Sequence, residues 1–256
     1  MPSPPGHRLF AQYAYAPNTL GYCGPADARA LEAVACGDGM GTDGPIADVP
    51  SLAARFSGAW PYQQVIAEMT GRTDPLDASV VRAYWTGNEL TDEIDREGFG
   101  RELLSRLAPQ AGHYWKHLTE DLLAEAAPTH GFHVFGVYPW SRLLGSGVPQ
   151  PLQVLDSCRI TCGTVIEVRA EYVVVRARPL TYDGALHLGD EQDRPVRHRA
   201  AGGSFVPDLR RGDTVAVHWD FVCDRLTPED TDRLQHWTGW QLAQTNRRLE
   251  RTEAAG

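Results

Sequence analysis

From Pro25 onward, apolar residues recur at helical spacing. The run Pro25-Ala-Asp-Ala-Arg-Ala-Leu-Glu-Ala-Val-Ala sets a Pro at a first-turn position and strong helix formers behind it. Further helices are predicted over roughly Pro61–Thr70, Ala78–Trp85 and Asp92–Leu107. In the last of these, Ile94, Phe99, Leu103, Leu104 and Leu107 keep one helical face apolar. The pattern continues over His113–Ala126 through Trp115, Leu118, Leu122 and Leu123. Residues 1–20 are Pro-rich and read as mostly irregular, and Gly37–Pro50 reads as a Gly/Asp-rich loop. Residues 1–145 are therefore expected to form a mainly helical domain.

The period changes after Trp140. Residues 143–151, Leu-Leu-Gly-Ser-Gly-Val-Pro-Gln-Pro, have the composition of a linker and predict a site of preferential proteolysis. Beyond them, Gly163-Thr-Val-Ile-Glu-Val, Tyr172-Val-Val-Val-Arg-Ala-Arg and Asp213-Thr-Val-Ala-Val-His-Trp are rich in β-branched residues and read as strands. Asp183-Gly184 and Gly202-Gly203 mark turns between them. Thr227-Pro-Glu-Asp then supplies an N-cap, a Pro at the first helical position and acids in the first turn, opening a helix to about Arg248. The expected class is α+β and multi-domain: a helical domain followed, over 152–256, by a small β-barrel with a terminal helix.

Composition narrows the function. The chain has 256 residues, 42% hydrophobic and 22% charged, which is ordinary for a globular protein. Its 24 Lys and Arg against 33 Asp and Glu give a net charge of −9, opposite to what a phosphate backbone attracts. No apolar run approaches the ~18 residues of a membrane span, and the opening residues lack the order of a signal peptide. A cytoplasmic protein is expected, with its five cysteines reduced.

Two blocks of the C-terminal half resemble a known family. Cys158-Arg-Ile-Thr-Cys-Gly-Thr-Val-Ile-Glu-Val and Leu209-Arg-Arg-Gly-Asp-Thr-Val-Ala-Val-His-Trp-Asp-Phe-Val-Cys-Asp-Arg-Leu are similar to the opening strand and the Gly-Asp-x-Val-x-Val-His strand of the HypC/HupF family. These are small chaperones of [NiFe]-hydrogenase maturation. Cys158 and Gly163 fall on that family's Cys and Gly, and Cys162 stands where it has Pro. Gly212, Asp213, Val217 and His218 match position by position. The family's Cys is N-terminal, whereas Cys158 lies deep inside this chain. The resemblance implies an OB-like barrel and a non-enzymatic assembly chaperone. Its partners would be the hydrogenase large-subunit precursor and a HypD-type scaffold, and its transient cargo an Fe(CN)2(CO) group. Cys158 would supply the thiolate to that iron, and His218 a second ligand or a partner to the thiol. Thiolate and imidazole both suit a soft, low-spin iron. If so, Cys158 and His218 should share one rim of the barrel within about 8–10 Å, with Cys158 at least partly exposed.

Other residues carry chemistry of their own. If Cys158 and Cys162 belong to one strand, their spacing of four puts both thiols on one side, fit to bind metal or oxidise. Cys223 reads as core. Cys23, in Gly-Tyr-Cys-Gly just ahead of a helix, would have its thiol pKa depressed by the helix dipole. His113 and His117 stand four apart on one helix face, as metal ligands can, but no Glu accompanies them. The segment Thr129-His-Gly-Phe-His-Val-Phe-Gly-Val-Tyr-Pro-Trp is either packed core or a binding edge. These features leave a rival reading, an enzyme of the helical domain working through Cys23 or His113/His117, with the barrel as a docking module.

Overall fold

The computed structural model describes residues 5–26, 28–37, 48–108 and 117–254. The first element contradicts the expectation of an irregular start. Helix α1 spans Pro5–Thr19, with Pro5 at its first position and Leu9, Phe10, Ala11, Tyr13 and Ala14 buried. Pro17 lies in its last turn, where few intrahelical bonds remain to be lost. Helices α2 (Ala28–Ala35), α3 (Val49–Ala53), α4 (Trp60–Met69), α5 (Ala78–Trp85), α6 (Glu89–Glu93) and α7 (Arg96–Leu107) follow; α2, α3 and α5 pack on α1, α5 and α7 on α4, and α6 on α5. Asp77, Asn88 and Asp95 cap α5, α6 and α7 with their side chains. His113 and the start of its expected helix lie outside the described residues. The end of that helix is instead a 3-10 turn, Glu120–Glu125.

The next segment is helical but irregular. A single turn α8 (His130–Phe132) runs into a π-helical turn over His133–Val137, closed by the Tyr138 N–H on the His133 carbonyl at 2.9 Å. Such widened turns are uncommon and cluster at functional sites. A 3-10 turn, Pro139–Leu143, precedes α9 (Gln150–Cys158). The expected linker thus ends inside a helix, and Cys158 closes that helix instead of opening a strand. Pro151, Val154, Leu155 and Cys158 fall at i, i+3, i+4 and i+7 and all are buried, a helical stripe sufficient to fold the segment this way.

The strands are β1 (Thr161–Val168), β2 (Tyr172–Ala177), β3 (Leu180–Tyr182), β4 (Leu186–Leu188), β5 (Gln192–Arg197), β6 (Arg199–Ala200), β7 (Gly203–Ser204), β8 (Thr214–His218) and β9 (Phe221–Arg225). Five of them form one sheet in the order β1-β2-β5-β9-β8, and β8 pairs back onto β1, so the sheet closes on itself. Period-2 burial along β1 and β2 turns Gly163, Val165, Val173 and Val175 inward. A Cβ on Gly163 would sit 2.4 Å from the Val175 side chain and 2.8 Å from the Arg176 carbonyl, so only glycine lets β1 and β2 approach this closely. Gly163→Ala should therefore cost about 1–3 kcal/mol, read as a lowered urea midpoint.

Helix α10 (Pro228–Ala254) ends the fold. The Thr227 hydroxyl accepts from the Asp230 N–H, and the Asp230 carboxylate accepts from the Thr227 N–H. The fold is a mixed α+β arrangement. One continuous apolar cluster takes in α1, α4, α5, α7 and the inner face of the closed sheet. Among the described residues, no helix is long and apolar enough to cross a membrane.

Candidate metal centre

Helix α1 is tied to the β7–β8 connection by a polar contact: the Gln12 amide donates to the Phe205 carbonyl at 2.9 Å. Pro17 has no N–H to give the Tyr13 carbonyl one turn back, and that carbonyl instead accepts from Nδ1 of His218 at 2.8 Å. The bond fixes the tautomer of His218. Its proton is on Nδ1, and Nε2 is a lone pair, buried and without a hydrogen bond among the described residues.

His130 comes from the other side. Its Nε2 donates to the Cys158 carbonyl at 2.9 Å and lies 3.9 Å from the Cys158 sulfur, while Nδ1 meets the Tyr84 hydroxyl at 2.9 Å. A carbonyl only accepts, so the proton is on Nε2 and Tyr84 donates to Nδ1. The His130 and His218 rings are 5.1 Å apart, both against Trp85. One ligand atom each from His130, Cys158 and His218 lie within 4.8 Å of one another. A helix turn, a helix end and a strand end thus converge on one point.

That point opens into a cavity of about 450 Å³ whose walls include Cys23, His133, Tyr138 and Trp140. Burial sets the electrostatics. It pushes His130 well below the ordinary histidine value, with neighbouring His218 and His133 adding to the fall. His133 falls to about 3 from burial and then from His218. His218 falls to about 4, against the opposing pull of the Tyr13 and Cys158 carbonyls. Burial pushes the Cys158 thiol up to about 12. The Trp219 indole faces that sulfur and eases the thiol back down, although its N–H completes no full hydrogen bond. At neutral pH the cluster is three neutral rings and a thiol, so no buried charge is left unpaired.

The expected partial exposure of Cys158 is corrected: the residue is only 7% exposed. Its cover is the β8–β9 turn, where Trp219 and Asp220 take φ of 51° and 54°. Two positive φ values suit a tight two-residue hairpin, but a tryptophan adopts this conformation at a cost. The reward is placement: the Trp219 N–H donates to the Ser157 carbonyl at 2.9 Å, and its ring stacks on half-exposed Tyr22 at 3.9 Å. Trp219→Gly should relax the turn and uncover the sulfur, speeding labelling of Cys158 by a thiol reagent at least tenfold.

The remaining sequence candidates separate. Cys162 sits on an outward position of β1, where the Gln235 amide donates to its sulfur at 3.6 Å, in a different cavity from Cys158. The two thiols share no strand face because Cys158 is helical. Cys23 lines the Cys158 cavity, but burial raises its thiol to about 12, opposite to a dipole-lowered thiol. His117 is remote, with Nε2 on the Val137 carbonyl at 2.8 Å, and its expected partner His113 is outside the described residues. Cys223 is wholly buried. The residue of the cluster that the sequence reading missed is His130. Its signal was the density of His and aromatics over 129–140, which marked a segment without saying which way either histidine points.

Fold and site together define a mixed α+β protein with a buried His–Cys–His cluster at the end of an aromatic cavity. The chain belongs to a family of unknown function, DUF6390, whose model matches residues 2–252. Comparison with curated proteins and with solved structures finds no match.

Proposed function

We propose that this protein is an assembly chaperone of [NiFe]-hydrogenase maturation, in which the closed sheet and α10 act as a HypC/OB-like barrel behind a helical domain. Its cargo would be the Fe(CN)2(CO) group, taken from a HypD-type scaffold and passed to the large-subunit precursor. The observation that carries this reading is the convergence of Cys158 and His218, the two residues that match the family, with ligand atoms within 4.8 Å at one cavity. The donors fit the cargo. A thiol that becomes thiolate and an imidazole lone pair are soft enough for low-spin iron. The Trp85 indole N–H, on the cavity wall and without a partner, could donate to a cyanide nitrogen, an acceptor. Binding displaces the thiol proton, so a thiol held protonated by burial weakens the hold on the cargo and eases its release.

The test is maturation in cells that carry the hydrogenase. Cys158→Ala and His218→Ala, each at wild-type protein level, should abolish hydrogenase activity and leave the large-subunit precursor unprocessed. Full activity in the Cys158→Ala strain overturns the carrier role.

A further inference from the structure

We infer that His130, from the helical part of the chain, is a third metal ligand, and that His130 Nε2, Cys158 Sγ and His218 Nε2 form a three-coordinate protein site with its open position toward the cavity. This rests on the reading of Cys158 and His218 as metal-holding residues, and it adds a ligand that the two matching blocks lack.

Three observations on different elements support it. The Nε2 of His130 is as close to the sulfur as a shared ion requires, at 3.9 Å, since ligands about 2.0–2.3 Å from one ion stand roughly 3–4 Å apart. The opposite ring atom of each histidine is held by a hydrogen bond, Nδ1 of His218 on the Tyr13 carbonyl and Nδ1 of His130 on the Tyr84 hydroxyl. Metal-bound imidazoles are oriented in this way by the nitrogen that does not bind. Finally, the buried Nε2 of His218 has no hydrogen-bond partner among the described residues, a cost that an ion would remove.

The two histidines are not equally ready. His218 already presents a lone pair. His130 carries its proton on Nε2, so that proton must leave the Cys158 carbonyl and the ring must be reprotonated on Nδ1. The Tyr84 hydroxyl then turns from donor to acceptor, which a freely rotating O–H allows. The thiol gives its proton to solvent as sulfur binds the ion. Loading thus releases one proton in all, from Cys158, while His130 only exchanges tautomer. Tyr84 is a positioning residue in this scheme. With phenylalanine there, the new Nδ1–H would be buried without an acceptor.

The probes are Co(II) and Zn(II) added to the full, reduced chain. Co(II) should bind in a 1:1 ratio with a near-ultraviolet thiolate band, and X-ray absorption of the Zn(II) form should resolve one sulfur and two imidazole nitrogens. His130→Gln should drop one imidazole, keep the thiolate band and weaken Co(II) binding at least tenfold. Tyr84→Phe should keep both imidazoles and weaken binding roughly 10–100-fold. The wild-type absorption spectrum needs no variant to fold, so it decides even if His130→Gln does not. One imidazole with one sulfur in the wild type, unchanged affinity in His130→Gln, or no thiolate band would each overturn the third ligand. None of these results depends on hydrogenase activity, so failure here is distinct from failure of the carrier role in cells.

Discussion

Glu125→Gln should destabilise the protein by about 3–5 kcal/mol, although the change removes only a charge. Glu125 is 3% exposed and receives Nε of Arg248 at 2.5 Å; the same guanidinium donates to the Phe135 carbonyl at 2.8 Å and the Ser141 hydroxyl at 3.0 Å. The Thr245 hydroxyl donates to the other carboxylate oxygen at 3.2 Å. Arg142 stands close enough that burial and the Arg248 charge hold it down to about 10. Neutralising Glu125 leaves Arg248 as a buried cation beside a second one, without the counter-charge that offset its desolvation. Arg248→Met strands the carboxylate instead and should cost a similar amount. The double variant Glu125→Leu/Arg248→Met should recover most of the loss, because the penalty belongs to the unpaired charge. Urea unfolding of the three variants checks this, and a loss under about 1 kcal/mol in both single variants would refute it. The consequence reaches the site. This network ties α10 to the π-helical turn over His133–Val137, so the single variants should also loosen the wall that carries His130 and His133.

The second large effect concerns acid. His130, His133 and His218 are all held neutral by burial, with His218 titrating at about 4 and His133 at about 3. In the unfolded chain each returns to about 6.5. A folded value below the unfolded one means the unfolded state takes up protons first. The contribution is therefore complete above pH 6.5 and is lost progressively below it, for His218 down to about 4 and for His133 down to about 3. His218 alone should account for on the order of 3 kcal/mol over that window, and the three together for a slope of up to about 4 kcal/mol per pH unit. Most carboxylates have not yet protonated across its upper part. His133 isolates the effect: it faces His130, Tyr62 and Tyr138 and is not among the three clustered ligand atoms. His133→Gln, unfolded by urea at pH 7.5, 6 and 5 in chelator, should show a shallower slope by about 1.4 kcal/mol per pH unit. An unchanged slope would mean that His133 is not held neutral.

Much of the fold was legible one segment at a time. The period-3.6 stripes of α5 and α7, the β-branched runs of β1, β2 and β8, and the Thr227-Pro cap of α10 each follow from neighbours within a few residues, which is the range over which pattern and capping act. Where the sequence reading failed, composition had competed with periodicity. Pro-rich residues near the N-terminus masked the Leu9–Ala14 helical stripe. The Gly/Pro run before Cys158 masked the i, i+3, i+4, i+7 stripe of α9 and put that cysteine in a strand.

The site divides along the same line. Sequence alone singled out Cys158 and His218, through a family resemblance, as a pair whose chemistry would suit a soft metal. Only the tertiary structure decided that they meet, because no local preference links the end of α9 to the end of β8. It also decided that His130 meets them. Whether a histidine faces a thiol depends on a π-helical turn, on a carbonyl freed by Pro17 and on a tryptophan held at positive φ. Each of these is set by contacts among segments far apart in the chain.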